Sequence, residues 1–93
     1  MDNSFKPSSE MIFATVQSDC ERLLKHCRGS KSKLLKLDLS EVTQCDSAGL
    51  ALLIEAKRLC TKQKRTYKIE GMQEAVYALA EFCGVDKILE LSR

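Results

Sequence analysis

Leu34-Leu35-Lys36-Leu37-Asp38-Leu39 is followed by a polar turn, then by Asp46-Ser47-Ala48-Gly49-Leu50 and the apolar run Ala51-Leu52-Leu53. The leucines predict a strand over Lys33 to Leu39, and their near-continuity predicts burial on both faces. Residues from Ser47 to about Gln63 predict a helix, because the apolar positions recur at helical spacing. A strand that feeds a helix is half of a parallel crossover. Loops at the carboxyl ends of such strands are where open α/β sheets carry out recognition. The chemistry is therefore sought at Asp46 and Ser47, where one hydroxyl stands at a helix mouth.

Upstream, Phe13, Val16, Cys20, Leu23, Leu24 and Cys27 recur at helical spacing, which predicts a first helix over Glu10 to Arg28. Ser8 or Ser9 can cap its start and Gly29 suits its stop. Met11 to Val16 has the propensity of a strand, but it lacks alternation and no turn signal separates it from the next apolar positions. Met1 to Ser9 is polar except for Phe5, and Pro7 bars a central strand position, so it reads as an arm or a brief edge strand. Downstream, Thr66 to Glu70 predicts a second strand and Gly71 a turn. Gln73 to Phe82 predicts a third helix stopped by Gly84, and Val85 to Leu91 a last short strand or turn. Strands alternating with helices predict a small α/β sandwich with right-handed crossovers.

The 93 residues, 44% of them apolar, fit one domain over residues 1–93. A net charge of +2 is too slight to name nucleic acid or acidic lipid as the main partner. Five cysteines, an odd number without a preceding signal segment, point to a reducing cytoplasm. The longest apolar run, Leu50 to Ile54, is far short of the ~20 residues of a membrane span. Cys20, His26 and Cys27 lack the paired spacing of a zinc site. Ser47 lacks the glycine elbow of a hydrolase. The four glycines are scattered, without a nucleotide loop, and Asp38 is expected to bond nearby backbone amides. Basic residues gather near the ends of the first two helices, where they complement the helix dipole. A weaker reading of them is attraction to the acidic surface of a membrane-bound assembly.

Helix two sorts into two faces at ~100° per residue. Gly49, Leu52, Leu53, Ala56, Leu59 and Cys60 form a core stripe. Ser47, Leu50, Ala51, Ile54, Arg58 and Thr61 fall opposite, which puts two large aliphatics where a solvated face belongs. Either a partner covers them or they tuck under a neighbouring loop. On the first alternative, Leu50→Arg and Ile54→Arg chains still fold. Asp46 and Ser47 can accept the amides of the helix start, and a phosphate on Ser47 would place negative charge beside that face.

The run Leu37-Asp38-Leu39-Ser40-x-Val42 followed by Asp46-Ser47-Ala48-Gly49-Leu50 resembles the signature of STAS domains, whose Asp-Ser/Thr-x-Gly-Leu loop opens the second helix. Ala51-Leu52-Leu53, Lys68-Ile69-Glu70-Gly71 and Val76-Tyr77-x-Leu79-Ala80 are similar to the small STAS subunits of Mla-type phospholipid ABC transporters. The likeness covers Lys33 to Arg93 well and helix one loosely. It implies a STAS-type sandwich with a mixed, mostly parallel sheet, and a non-enzymatic subunit without cofactor or metal. The implied partner is an ABC transporter ATPase subunit in a complex with a membrane permease, at the cytoplasmic side of the inner membrane. Asp46, Ser47, Leu50, Ala51, Ile54, Arg58 and Thr61 would meet it, with Gly49 shaping the loop. The alternative is an anti-sigma-factor antagonist switched by phosphorylation of Ser47 by a partner kinase. A module of a larger anion transporter fits less well, since Met1 and the short tail read as natural ends. STAS domains usually open with two strands and a Gly-Glu-Leu-Asp turn, where this chain has Ser4-Phe5-Lys6-Pro7. The first strand is thus expected to be shortened or absent, leaving a sheet edge open to a partner or a second copy.

Overall fold

Alternation, not continuous burial, governs the leucine run: Leu35, Leu37 and Leu39 are buried, Lys36 and Asp38 half-buried, and Leu34 is 37% exposed. A computed structural model describes residues 4–91; Met1 to Asn3 of the polar arm, and Ser92 and Arg93, lie outside the described residues. In chain order the elements are β1 (Ser4–Phe5), β2 (Glu10–Met11), α1 (Phe13–Gly29), β3 (Leu34–Asp38), β4 (Gln44–Cys45), α2 (Ser47–Lys62), β5 (Thr66–Glu70) and α3 (Glu74–Phe82). β3 lies between β1 and β5 in one parallel sheet, and β2 pairs with β4 in a second. Every pairing among the described residues is parallel, so the antiparallel part of the expected mixed sheet is not seen there.

Parallel sheets are ordinarily covered on both faces, and the leucines were read that way. Here Leu35 and Leu37 share a core with Leu23 and Cys27 of α1 and with Leu52, Leu53 and Ala56 of α2, while the other face of β3 stays open. That face carries charge. Lys36 and Lys68 are register partners, and Glu70 relieves their repulsion by lying 3.8 Å from one and 3.2 Å from the other.

The amino-terminal reading needs two corrections. Both opening strands are present, each two residues long, and Glu10–Met11, assigned above to helix one, is the second of them. A period of three to four could not separate that pair from the helix, because Met11 is buried on the same side. Nor do Ser8 and Ser9 cap α1, which begins at Phe13 and runs through Gly29. Ser8 instead donates its hydroxyl, at 2.6 Å, to the fully buried Asp19, and Arg22 donates to the same oxygen at 2.9 Å. Arg22 also donates to the Lys6 carbonyl at 2.7 Å and lies over the Phe5 ring. A buried carboxylate thus pins the arm to α1, consistent with the need to pair charge in a core.

Two glycines are fixed by geometry. Gly71, at φ +73°, turns the chain out of β5 where a methyl would meet the Ser40 nitrogen at 2.9 Å. Gly49 is buried in the first turn of α2, as the core stripe predicts and inside the helix rather than in the loop the resemblance assigned it to shape, and α2 crosses β2 there so closely that a methyl would collide with the Met11 carbonyl oxygen and meet Cys45 Sγ at 2.8 Å. The Gly49→Ala chain is therefore expected to lose about 1–3 kcal/mol from overpacking. Gly29→Ala, whose methyl meets nothing within 4 Å, is expected to be neutral or slightly stabilising, as urea unfolding of both will show.

Candidate partner-binding site

β2 and β4 lie side by side with Met11 opposite Cys45, and each runs within two residues into a helix. The amino-terminal mouths of α1 and α2 are consequently neighbours. A helix start leaves amide N–H groups without intrahelical acceptors and carries partial positive charge, so each mouth calls for an oxygen. α1 has none of its own ahead of it: Ile12 is its N-cap, and no acidic residue stands in its first turn. Thr15 helps by accepting the Ile12 N–H at 3.1 Å. Asp46 supplies a further oxygen.

Asp46 is the N-cap of α2, and its Oδ1 accepts the N–H groups of Ala48 at 2.9 Å and Gly49 at 3.2 Å. Its Oδ2 accepts the N–H of Phe13, the first residue of α1, at 3.0 Å. One carboxylate therefore caps two helices, and its own backbone N–H donates to Met11 at 3.2 Å. The Phe13 bond foremost, with those from Gly49 and Ala48, holds its carboxyl below the ordinary aspartate range. Beside it, burial first, then the Asp46 charge and Cys83, push the Cys45 thiol up to about 11. Cys45 is thus a protonated, unreactive thiol at neutral pH.

Ser47 opens α2 with an exposed side chain, and its hydroxyl makes no hydrogen bond among the described residues. Ala51, Arg58 and Thr61 are exposed on the same side, and Ile54 is half-buried against the core. Arg58 is held by Glu55 at 2.7 Å, and the Thr61 hydroxyl donates to the Lys57 carbonyl at 3.1 Å. The bond to Arg58 keeps the Glu55 carboxyl below its usual range.

Leu50 departs from the reading above. It is only 2% exposed and belongs to the core, so its side chain does not lie on the outer face. The reason is local: near its mouth α2 packs against both β2 and β4, which widens the buried arc beyond that of the rest of the helix. The arrangement brings Asp46, Ser47, Ala51, Ile54, Arg58 and Thr61 onto one surface and removes Leu50 from it.

Phe13 is the residue that periodicity misplaced. Its spacing from Val16 set it in the apolar pattern of the first helix, yet it is 82% exposed, next to the carboxylate that its amide reaches. No sequence signal marks it, since the helical period is the same for a first helical residue as for an interior one.

The profile of the STAS domain matches residues 3–93. The chain belongs to the STAS domain family. Over 45 residues this STAS domain is 40% identical to the protein called "Intermembrane phospholipid transport system binding protein MlaB" in Escherichia coli (strain K12). It is equally similar to the protein of that name in Shigella flexneri. Each match covers 48% of this chain and 46% of the relative, so the chain spans about half the length of the curated proteins it matches. Among the described residues, no helix is long and apolar enough to cross a membrane.

The double cap gives a pH signature. A carboxyl whose folded pKa is lowered contributes stability that is present above its unfolded value and lost as pH falls through the folded one. Asp46→Asn is therefore expected to melt below the unaltered chain at neutral pH. The gap should close as acid protonates Asp46, which melting followed by circular dichroism at a series of pH values will measure.

Proposed function

We propose that this STAS domain is a non-enzymatic subunit that docks the outer face of α2 on the cytoplasmic ATPase of a phospholipid ABC transporter, stabilising and regulating it. In this reading the chain is cytoplasmic, peripheral to the inner membrane through its complex with the ATPase and a permease, and supports outer-membrane lipid asymmetry. The likeness to the phospholipid transport protein MlaB supports the transport setting. The observation that carries the surface is the continuous row Ser47, Ala51, Ile54, Arg58 and Thr61, outward or half-buried along the whole length of α2. Its spacing of four and three residues is that of one helix face. Small and aliphatic side chains along it allow close approach, and Phe13 adds a large exposed aromatic beside the mouth, a side-chain class enriched at interfaces.

A second reading rests on the Ser47 hydroxyl, which is exposed and unbonded at the helix mouth and thus accessible to a kinase. A phosphate there would sit beside the Asp46 carboxylate and compete for the amides it caps. Phosphate recovered on Ser47 from cells, with partner binding lost in Ser47→Asp, would favour the signalling role. Among the described residues β1 and β5 are the outer strands of the three-stranded sheet, and a second copy could add there, which sedimentation of the free chain would reveal as a concentration-dependent dimer.

Ala51→Arg separates the surface from the fold. It is expected to melt with the unaltered chain and to lose copurification with the ATPase from native membranes. Leu50→Arg is expected to unfold, because it buries a charge. An Ala51→Arg chain that folds and still brings down the ATPase would remove α2 from the interface.

A further inference from the structure

The loop from α1 to β3 and the loop from α2 to β5 enter neighbouring parallel strands, with Leu34 opposite Thr66. The Thr66 N–H donates to the Lys33 carbonyl at 2.6 Å, so both loops lie at one end of the domain, the far end of α2 from Asp46. Arg65 fastens them together, its Nη2 donating to Cys27 at 2.7 Å and to Ser30 at 2.8 Å. Onto this end converge Lys25, Arg28, Lys31, Lys33, Lys62 and Lys64, all exposed. None closes a salt bridge among the described residues; Lys62 alone lies near enough to Glu55 to lower its carboxyl. No Asp or Glu occurs between Arg22 and Lys36 or between Ala56 and Ile69. A net charge of +2 thus conceals a strongly basic pole, because the two stretches that meet there carry no acidic residue.

We propose that this pole is a docking surface for an anionic phospholipid bilayer. The carboxyl ends of α1 and α2 carry Lys25, Arg28 and Lys62, and the two loops that Arg65 ties together carry Lys31, Lys33 and Lys64, so less freedom is lost on contact than for a floppy basic tail. Lysine ammonium groups, which make up all but one of the six, act as point charges that a negatively charged leaflet attracts without specific geometry. Nucleic acid is the less fitting polyanion. Its sites favour aromatic platforms and arginine forks, and here the His26 ring packs edge-on against Phe5 while Arg65 is committed to the two loops. Leu34, 37% exposed at the same end, adds apolar area at the contact. The proposal stands apart from the α2 partner and does not need it.

Flotation of the full chain with lipid vesicles tests it. Phosphatidylcholine vesicles should leave the chain behind, and vesicles with phosphatidylglycerol at about 2:1 should carry it, with binding that weakens steeply as salt rises. The triple variant Lys31→Glu, Lys33→Glu, Lys64→Glu should float at least about tenfold less while melting unchanged, and Lys68→Glu on the open sheet face should float like the unaltered chain. Three results would overturn the proposal: no flotation with anionic vesicles, equal flotation of the triple variant, or tighter binding to duplex DNA than to the vesicles at the same salt.

Discussion

The Asp46 carboxylate is the point on which this domain turns. Two parallel strand-to-helix units stand side by side, and both helices begin with amides that their own turns cannot satisfy. Placing one anion between the two mouths answers both, with hydrogen bonds to Phe13 on one side and to Ala48 and Gly49 on the other. The arrangement depends on close approach, since α2 passes over the Met11 carbonyl at a position where only glycine fits. Cap and glycine are thus one device. They hold the mouth of α2 against β2, and by doing so they present Ser47 at a fixed place on the surface.

How far this could be read from the residues depends on which physical signal each feature leaves. Helix two left a strong one, a long apolar period between an aspartate and a run of cations, and its boundaries fall within a residue of those expected. The strand β3 and the turn at Gly71 were legible for similar reasons, through leucine content and a glycine. The two-residue strand at Glu10–Met11 was not, because so short a pairing carries no period and its partner lies more than thirty residues away. Leu50 and Phe13 exchanged places with respect to the core for the same reason. A helical wheel gives the angle at which a side chain leaves the helix, but only the neighbouring strands decide how wide the buried arc is. The second contact of Asp46, across to α1, was likewise beyond a local reading of caps.

The finished domain has distinct ends. One holds the paired helix mouths, the hydroxyl of Ser47 and the exposed ring of Phe13; the other gathers six exposed cations from the carboxyl ends of α1 and α2 and from the two loops that Arg65 binds together. α2 runs from the first to the second, with its outer row of small and aliphatic residues between them. Membership of the STAS family accounts for the order of the elements and for the loop that opens α2. The outer row of α2 and the basic end occupy different parts of the surface, so the partner and the bilayer proposed for them do not compete.

The sharing of Asp46 between two helices can be seen directly by following the amide proton shifts of Phe13, Ala48 and Gly49 by NMR as the pH is lowered. All three should titrate together, with one apparent pKa below the ordinary aspartate value. A Phe13 amide that stays still while those of Ala48 and Gly49 move would mean that the carboxylate caps α2 alone, and the link between the two mouths would be lost.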